Sequence, residues 1–379
     1  MTSAPQIKGW CPSAYRPMMS GDGLLVRVRP WHSRMSAQQV QGLCDTAERF
    51  GNGIINLTSR ANLQIRGVTA ADHDALLADL LALGLLDDEE ARETRRNIIT
   101  TPLRDETGLT TDLHDIITPA LPDFPNLPDK MGIALDTGPV AALQNASADF
   151  RFERNVDGAL ILRADWAKTG THVTLGTAVS ALLDLARWFV DSGGVAARRM
   201  NRHLTAVALP DRFLGAEPVE QSLNIEPGPS DMGMVVGVPF GQVAAADLQR
   251  LVHKSGAPSL SITPWRMIAL HDVEAVEDFA FVTHPDDPVM RINACPGAPK
   301  CQQAHGETLD LAREIAAGLA ANTTVHVSGC AKGCAYPRRA DVTVVGGQDG
   351  YGIIRHGMAC DVPVKTGLSR AAVMKEIRL

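Results

Sequence analysis

Four of the seven cysteines in this 379-residue chain form two close pairs. Five residues separate Cys295 from Cys301, three separate Cys330 from Cys334, and all four lie within 40 residues. Glycine and proline flank both pairs and indicate loops, in which several thiolates can converge on one centre. Four thiolates are the usual protein ligands of a [4Fe–4S] cluster, so we predict that these cysteines bind one.

Two other uses of the four cysteines are open at this point. A structural zinc ion also takes four cysteines, although its pairs are commonly separated by about two to four residues. The cysteines could also be unconnected thiols, which their crowding beside glycines argues against. Of the remaining cysteines, Cys44 falls on an apolar helical face and is predicted to be a core residue. Cys11 and Cys360 are assigned no role.

A second set of residues is suited to bind an anionic ligand. Side chains alternate between the faces of a strand, so Arg27 and Arg29 point the same way from one predicted strand. A second predicted strand, 60–66, has apolar residues on one face, and its polar face consists of Arg60, Asn62, Gln64 and Arg66. A solvated face usually mixes lysine with glutamate, whereas arginines and amides without an acid favour bidentate capture of carboxylates. We therefore predict a polyanion site, to which Arg96 and Lys130 are expected to add.

The elements that must position these residues occur twice in the chain. Segments 23–28, 36–43 and 57–60 resemble, in order, segments 233–238, 244–251 and 262–265. Each copy has the pattern of strand, helix and strand, and Ser36 is placed as the N-cap of the first helix. In this alignment Gly237 and Pro239 replace Arg27 and Arg29, so only the first copy carries the basic face.

A strand–helix–strand unit cannot bury both faces of its ribbon alone, so the two copies are expected to pair. We predict an α+β fold in which the copies share one sheet about a pseudo-twofold axis and two α/β lobes flank them. The predicted boundaries of repeat, lobe, repeat and lobe are 1–70, 71–229, 230–275 and 276–379. In the last lobe a helix at 307–321 and a strand at 324–327 are predicted between the two cysteine pairs.

The composition excludes several classes of function. The net charge of −7, without any lysine-rich block, argues against nucleic-acid binding. Residues 1–13 do not have the pattern of a signal peptide, and no stretch of 18 apolar residues indicates a membrane span. We expect a soluble cytoplasmic protein. In the cytoplasm, cysteines bind metals more often than they form disulfides.

Several of these motifs together resemble the sulfite and nitrite reductase superfamily over essentially the whole chain. They are the paired half-repeats, the Leu-Thr-x-Arg-x-x-x-Gln pattern at 57–64 and the two cysteine pairs. Four segments are similar to one branch of it, the precorrin-3B synthases of aerobic cobalamin biosynthesis. They are 21–27 (GDGLLVR), 58–67 (TSRANLQIRG), 294–301 (ACPGAPKC) and 327–335 (VSGCAKGCA).

The resemblance implies ferredoxin-like half-domains, lobes of the nitrite/sulfite reductase type, and a [4Fe–4S] cluster on the four cysteines. It implies a monooxygenase that hydroxylates precorrin-3A at C20 with O2 and closes a lactone with the ring A acetate. For this branch it also implies a mononuclear non-haem iron, whose ligands are not readable among the 11 histidines. A siroheme-dependent sulfite or nitrite reductase is the alternative.

In the reductases, basic residues that align with Arg27, Arg60, Arg96 and Lys130 hold the carboxylates of siroheme. The reductase pattern has a further lysine where this chain has Gly132. This departure favours a tetrapyrrole substrate in place of a siroheme cofactor. No G-x-G-x-x-G motif follows a predicted strand, so a separate NAD(P)H-dependent reductase is expected to supply electrons.

Overall fold

The computed structural model describes residues 12–138, 140–220 and 222–377, and Cys11 lies outside these ranges. Within the described residues, the strands form four five-stranded sheets, two from the internal repeat and two from the outer lobes. The predicted α+β class is confirmed. None of the helices in these ranges has the length and apolar character needed to cross a membrane.

The first repeat is built around one amphipathic helix. Its elements are β1 (Met18–Ser20), β2 (Gly23–Val28), β3 (Arg34–Ser36), α1 (Ala37–Phe50), β4 (Ile54–Leu57) and β5 (Leu63–Val68). The Ser36 hydroxyl accepts a hydrogen bond from the Gln39 backbone N–H, and the Gln39 side chain accepts one from the Ser36 N–H. This reciprocal cap confirms the predicted helix start. The predicted apolar face is buried, and it includes Cys44.

The first lobe packs helices on a mixed sheet. Its elements are α2 (His73–Ala82), α3 (Glu90–Arg95), β6 (Ile98–Thr100), α4 (Leu109–Ala120), β7 (Ile133–Asp136), β8 (Phe150–Arg154), β9 (Leu160–Ala164), β10 (Thr171–His172), α5 (Leu175–Asp191), α6 (Gly194–Ala197) and α7 (Met200–His203). Strands β6, β7 and β8 are parallel, and β9 and β10 continue the sheet antiparallel. Its core contains Leu113 and Ile117 of α4 and Phe189 of α5.

The second repeat has the same order of elements as the first. They are β11 (Gly228–Ser230), β12 (Gly233–Gly237), β13 (Gln242–Ala244), α8 (Ala245–Ser255), β14 (Ser259–Ile262) and β15 (Met267–His271). The repeats exchange one edge strand, which gives the sheet orders β1-β2-β5-β4-β13 and β11-β12-β15-β14-β3. The prediction of one shared sheet is therefore wrong, because each repeat completes the sheet of the other.

The turn before each exchanged strand shows the pseudo-symmetry at single residues. Short 3-10 turns occur at Trp31–Ser33 and Pro239–Gly241, and the middle residue of each has a left-handed backbone. The φ angle is 56° at His32 and 57° at Phe240. The two residues therefore occupy equivalent positions, and the strained conformation belongs to the repeat itself.

The predicted alignment of β2 with β12 is wrong by two residues. Arg27 pairs with Gln64 across the first sheet, and the residue with the corresponding partner in the second sheet is Val235, which pairs with Ala269. The sequence alignment placed Gly237 there. Additional residues in β2, which carries a register shift against β5, explain the displacement. The asymmetry survives the correction, because an apolar side chain still replaces the arginine.

The second lobe repeats the topology of the first. Its elements are β16 (Ile292–Ala294), α9 (Leu309–Ala316), β17 (Val325–Ser328), β18 (Ala340–Gly347), β19 (Gly350–Gly357), β20 (Lys365–Leu368) and α10 (Arg370–Ile377). A 3-10 turn at Pro288–Arg291 precedes β16, and the first lobe has 3-10 turns at Leu121–Asp123 and Asp211–Phe213. Strands β16, β17 and β18 are parallel, and β19 and β20 are antiparallel to their neighbours. The predicted strand at 324–327 is confirmed one residue later, and the predicted helix at 307–321 is shorter.

Replacing Leu43 by alanine should destabilise the fold, because its side chain is fully buried in the core under α1. We expect the free energy of unfolding to fall by about 2–5 kcal/mol. Denaturant unfolding followed by circular dichroism measures it. Gln41→Ala, at an exposed position of the same helix, is the control and should change the value by no more than about 0.5 kcal/mol. Equal effects of the two substitutions would contradict the buried position of Leu43.

Candidate active site

Two neighbouring parallel strands bring the cysteine pairs together. Ala294 at the end of β16 pairs with Val327 of β17. Cys295 directly follows β16, and Cys330 lies two residues after β17. Because the carboxyl ends of parallel strands meet at one edge of a sheet, the two cysteine loops leave the sheet side by side.

Backbone hydrogen bonds join the two loops. The Gly329 N–H donates to the Cys295 Sγ at 3.2 Å, and the His305 N–H donates to the Gly329 carbonyl at 2.7 Å. A Cβ at Gly329 would lie 2.6 Å from the Cβ of Ala304. Glycine is required here because a side chain would separate the loops.

The four thiols lie close enough for a charge on one to affect the pKa of another. Burial raises the pKa of Cys295, and charges on Cys301 and Cys330 would raise it further, while N–H groups of the loops lower it. Burial also raises the pKa of Cys334, the most exposed of the four, and the other three thiols again add to the shift. Four thiolates in mutual repulsion need a compensating cationic centre, so metal binding must displace their protons.

The spacing of the sulfurs tests which centre fits. Of the four cysteines, all within the part of the chain that the structure describes, no three have sulfurs mutually within 4.8 Å. A tetrahedral zinc ion with bonds of about 2.3 Å would hold its sulfurs about 3.8 Å apart. The sulfurs are therefore spaced more widely than a zinc ion requires, and a donor set of four thiols suits an iron–sulfur cluster.

The loop at 295–301, called the cluster loop because its cysteines are predicted to bind the cluster, packs on the first repeat through Arg66. This arginine forms a two-point ion pair with Asp22, at 2.9 and 2.7 Å, and donates to the Ser20 hydroxyl. It also donates to the Lys300 carbonyl, beside Cys301, and the Ser20 hydroxyl donates to the same carbonyl. Arg66 therefore connects the sheet β1-β2-β5-β4-β13, called the basic sheet because it carries the arginines, with the cluster loop. Its predicted part in binding a ligand directly stays a prediction.

Arg29 and Arg96 meet at a buried glutamate. The Glu93 carboxylate accepts from Arg29 at 2.9 Å and from Arg96 at 2.6 Å, and all three side chains are buried. The Arg96 guanidinium also lies over the Trp31 ring, 4.0 Å from its centroid. The sequence predicted that these two arginines belong to one site, and in the structure they share one carboxylate. The sequence did not identify Glu93 as their partner.

Arg60 and Lys130 meet at the loop before β7. Arg60 donates to the Lys130 carbonyl at 2.7 Å, and the Asn97 amide donates to the carbonyls of Asp129 and Met131 at 3.1 and 3.3 Å. This loop therefore joins Arg60 of the first repeat to Asn97 of the first lobe, and the Lys130 side chain is exposed at its rim.

The predicted strand at 60–66 is partly wrong. β5 begins only at Leu63, because Ala61 has a φ of 51° and turns the chain. Arg60 and Asn62 therefore lie in a turn and do not share a strand face with Gln64. Asn62 is buried and Gln64 half-buried beside Arg27, so the polar set still lies around one end of the sheet.

One group of side chains with the chemistry of metal ligands was missed by the sequence reasoning. Among the described residues, a single set of three His, Cys, Asp or Glu side chains has its donor atoms mutually within 4.8 Å, namely His32, His114 and Asp115. His32 and His114 are 82 residues apart, so no motif spacing signals the group. Only the packing of α4 on the turn after β2 brings it together.

Comparisons with known proteins find relatives over most of this chain. Residues 16–83 match the nitrite/sulfite reductase ferredoxin-like half domain. A precorrin-3B synthase of Sinorhizobium sp is 30% identical over 96% of this chain and 86% of that protein. A ferredoxin–nitrite reductase of Leptolyngbya laminosa is 24% identical over 89% of this chain and 79% of its own length. The structure of Mycobacterium tuberculosis NirA superposes with a TM-score of 0.64 and 19% identity, over 87% of this chain and 73% of that one, which shows a shared fold.

Replacing Cys301 by serine should abolish cluster binding, because a hydroxyl does not replace a thiolate at iron. Iron and sulfide analysis of anaerobically isolated protein, with EPR after reduction, measures the loss. Cys360→Ser is the matched control, because Cys360 is exposed and lies outside the two pairs. Retention of a full cluster in the Cys301 variant would contradict the assignment.

Replacing Arg66 by methionine should destabilise the protein, because it leaves the largely buried Asp22 carboxylate without its partner. We expect a loss of about 3 kcal/mol or more and faster decay of cluster absorbance in air. The double variant Arg66→Met with Asp22→Asn should recover part of the stability but not the contact with the Lys300 carbonyl. Unchanged decay in both variants would show that this contact does not hold the cluster loop.

Proposed function

The chain belongs to the precorrin-3B synthase family, within the nitrite and sulfite reductase superfamily, and on that premise we propose that it is an O2-dependent monooxygenase of a tetrapyrrole. The proposed reaction converts precorrin-3A to precorrin-3B in aerobic cobalamin biosynthesis. One oxygen atom enters at C20 and the other leaves as water, which consumes two electrons and two protons, and the ring A acetate closes a lactone.

One observation carries the proposal. The loop that holds Cys301 packs directly on the repeat that bears the basic residues, through Arg66 and Ser20. A tetrapyrrole bound by those residues would therefore lie next to the cluster. A bound cluster would supply electrons one at a time, as the reduction of O2 requires.

The basic residues suit the carboxylates of the macrocycle. Arg60 and Lys130 lie together at a rim that a ligand can reach, and arginine binds carboxylates in two-point geometry. Arg27 lies deeper in the same sheet. Several such contacts would fix one orientation of the ring, and orientation decides which meso carbon meets the oxidant.

The surroundings of Gly132 favour a tetrapyrrole substrate over a siroheme cofactor. A Cβ at this position would lie 3.0 Å from the Asn97 carbonyl oxygen. The Gly132 N–H donates to the Asp149 carboxylate at 3.1 Å, which fixes the backbone. The lysine of the reductase pattern would therefore enter a crowded position. This supports a ligand that is held differently from siroheme.

Siroheme-dependent nitrite or sulfite reduction is the second candidate, and the nitrite reductase relatives favour it. The optical spectrum of protein isolated without oxygen separates the two. A sharp Soret band with long-wavelength haem bands would establish the reductase, whereas the broad absorbance of a cluster alone supports the oxygenase. A separate NAD(P)H-dependent reductase remains our proposal for the electron donor.

The proposed reaction is tested with 18O2. Incubation of the protein with precorrin-3A, a chemical or enzymatic reductant and 18O2 should give a product that carries one 18O atom, detected by mass spectrometry. Protein whose cluster has been removed is the control and should give none. A product that takes its oxygen only from water would exclude the monooxygenase.

Replacing Arg60 by alanine should weaken binding of precorrin-3A by about tenfold or more, since a charge-assisted bond to a carboxylate contributes about 1.5–3 kcal/mol. Anaerobic titration followed by absorbance measures the dissociation constant, and the cluster content should not change. Arg187→Ala is the matched control, because Arg187 is an exposed arginine of α5 in the first lobe. Equal dissociation constants for wild type and the Arg60 variant would remove Arg60 from the site.

A further inference from the structure

We propose that His32, His114 and Asp115 are the ligands of the mononuclear non-haem iron that the family resemblance implies, where the ion would serve the reaction with O2. Two histidines and one carboxylate on one face of the ion, with open positions opposite, form the ligand set of non-haem Fe(II) oxygenases. The role in oxygenation rests on the proposed function, whereas the assignment of the ligands does not. It rests on the arrangement of the three side chains.

The donor atoms already lie near the spacing that an ion requires. His32 Nε2 is 3.2 Å from Asp115 Oδ1, and His114 Nδ1 is 3.5 Å from the same oxygen. The two imidazole rings lie 4.0 Å apart, centroid to centroid. Neighbouring ligands at right angles around an ion with bonds of about 2.1 Å are about 3 Å apart. Small side-chain rotations would therefore suffice to bind the ion.

Two separate elements hold the group. His114 and Asp115 are consecutive residues of α4, and His32 lies in the turn after β2. The His32 carbonyl accepts from Thr100 of β6 and from Arg104, which fixes the turn against the first lobe. The ligands therefore lie on a helix and on an anchored turn, which suits a preorganised site.

The second repeat provides an internal comparison. Phe240 has the same left-handed conformation as His32, and it packs in the core of the second lobe, under Arg313 of α9. Since both repeats keep the conformation, the conformation does not explain the histidine. The first repeat instead places a polar ring at this position, and the Nδ1 of His32 is buried without a hydrogen-bond partner among the described residues. The second repeat has an apolar ring at the equivalent position, so the polar ring is specific to the first repeat.

The group is open on one side. The His114 side chain is 3% exposed, that of His32 25% and that of Asp115 59%. A cavity of about 300 Å³ adjoins His32 and is lined also by Trp31, Arg104 and Thr111. Three protein ligands would leave up to three positions of the ion for water, O2 or substrate.

The group also adjoins the predicted tetrapyrrole site. The Trp31 ring contacts the His114 ring edge to face, with centroids 6.0 Å apart. The Arg96 guanidinium lies over the same Trp31 ring. Arg96 is one of the residues that align with the siroheme-binding residues of the reductases. An ion here would lie one aromatic ring away from Arg96, which pairs with Glu93 in the wall of the predicted site.

The competing explanation is a hydrogen-bonded cluster without a metal. The Asp115 carboxylate lies within reach of both imidazoles. The backbone N–H of His32 donates a hydrogen bond to the Nε2 of His114 at 3.4 Å. Such a cluster would stabilise the contact between α4 and the turn and would bind no iron.

The experiment measures metal binding in the cluster-containing protein. Anaerobic protein is loaded with Fe(II), and its iron content and its EPR spectrum with nitric oxide are recorded, since a mononuclear Fe(II)–nitrosyl gives an S = 3/2 signal that the cluster does not. We expect one iron per chain beyond the four of the cluster, together with this signal. His114→Ala and Asp115→Asn should remove both while the cluster absorbance remains.

The controls make the outcome specific. Asp112→Asn changes an exposed acid on the same helix and should leave the fifth iron in place. His32→Phe introduces the residue that the second repeat accepts in this conformation, so it should fold and lose the iron. Wild-type protein without the additional iron, or His114 and Asp115 variants that keep the nitrosyl signal, would overturn the assignment. Loss of the signal in the variants of a protein that gives no 18O-labelled product would sustain the ligands and reject the proposed reaction.

Discussion

The buried ion pair of Arg66 with Asp22 is the interaction on which the relation between the basic sheet and the cluster loop depends. It fixes the first hairpin against β5, and the same guanidinium reaches the carbonyl beside Cys301. Gly21 completes the contact, since a Cβ there would lie 2.8 Å from the Pro299 carbonyl oxygen. Two parts of the chain 280 residues apart thereby form one surface, on which the proposed cluster and substrate would lie next to each other.

The exchange of β3 and β13 joins two similar repeats that differ in chemistry into one scaffold. Each repeat contributes an edge strand to the other, so neither sheet is complete alone and the pair acts as one scaffold. The duplication includes the lobes, which have the same order of parallel and antiparallel strands. Within this frame one half carries the thiols and an apolar turn at Phe240. The other half carries the arginines and the polar turn at His32.

The sequence predicted features that depend on local pattern. The capped helix after Ser36 and its buried face follow from helical periodicity, and the cysteine loops follow from ligand spacing. Exchanged strands cannot be predicted in this way, because a strand has the same pattern whichever sheet it completes. The start of β5 was predicted too early because Ala61, an ordinary strand residue by type, takes a left-handed backbone conformation. The partners of buried charges, such as Glu93, are likewise set by packing across 64 residues.

The ion pairs divide the basic residues into two kinds, and this division decides how a polyanion can bind. Glu93 pairs with both Arg29 and Arg96, and Asp22 pairs with Arg66, so two carboxylates hold these three cations in place and fix the walls. Unbalanced cations packed side by side would repel one another and leave the cleft to be stabilised by the ligand alone. Arg60 and Lys130 lie together at a more exposed rim, where we propose that they meet the ligand. A carboxylate-rich macrocycle would then be steered by the rim and oriented by a preformed interior.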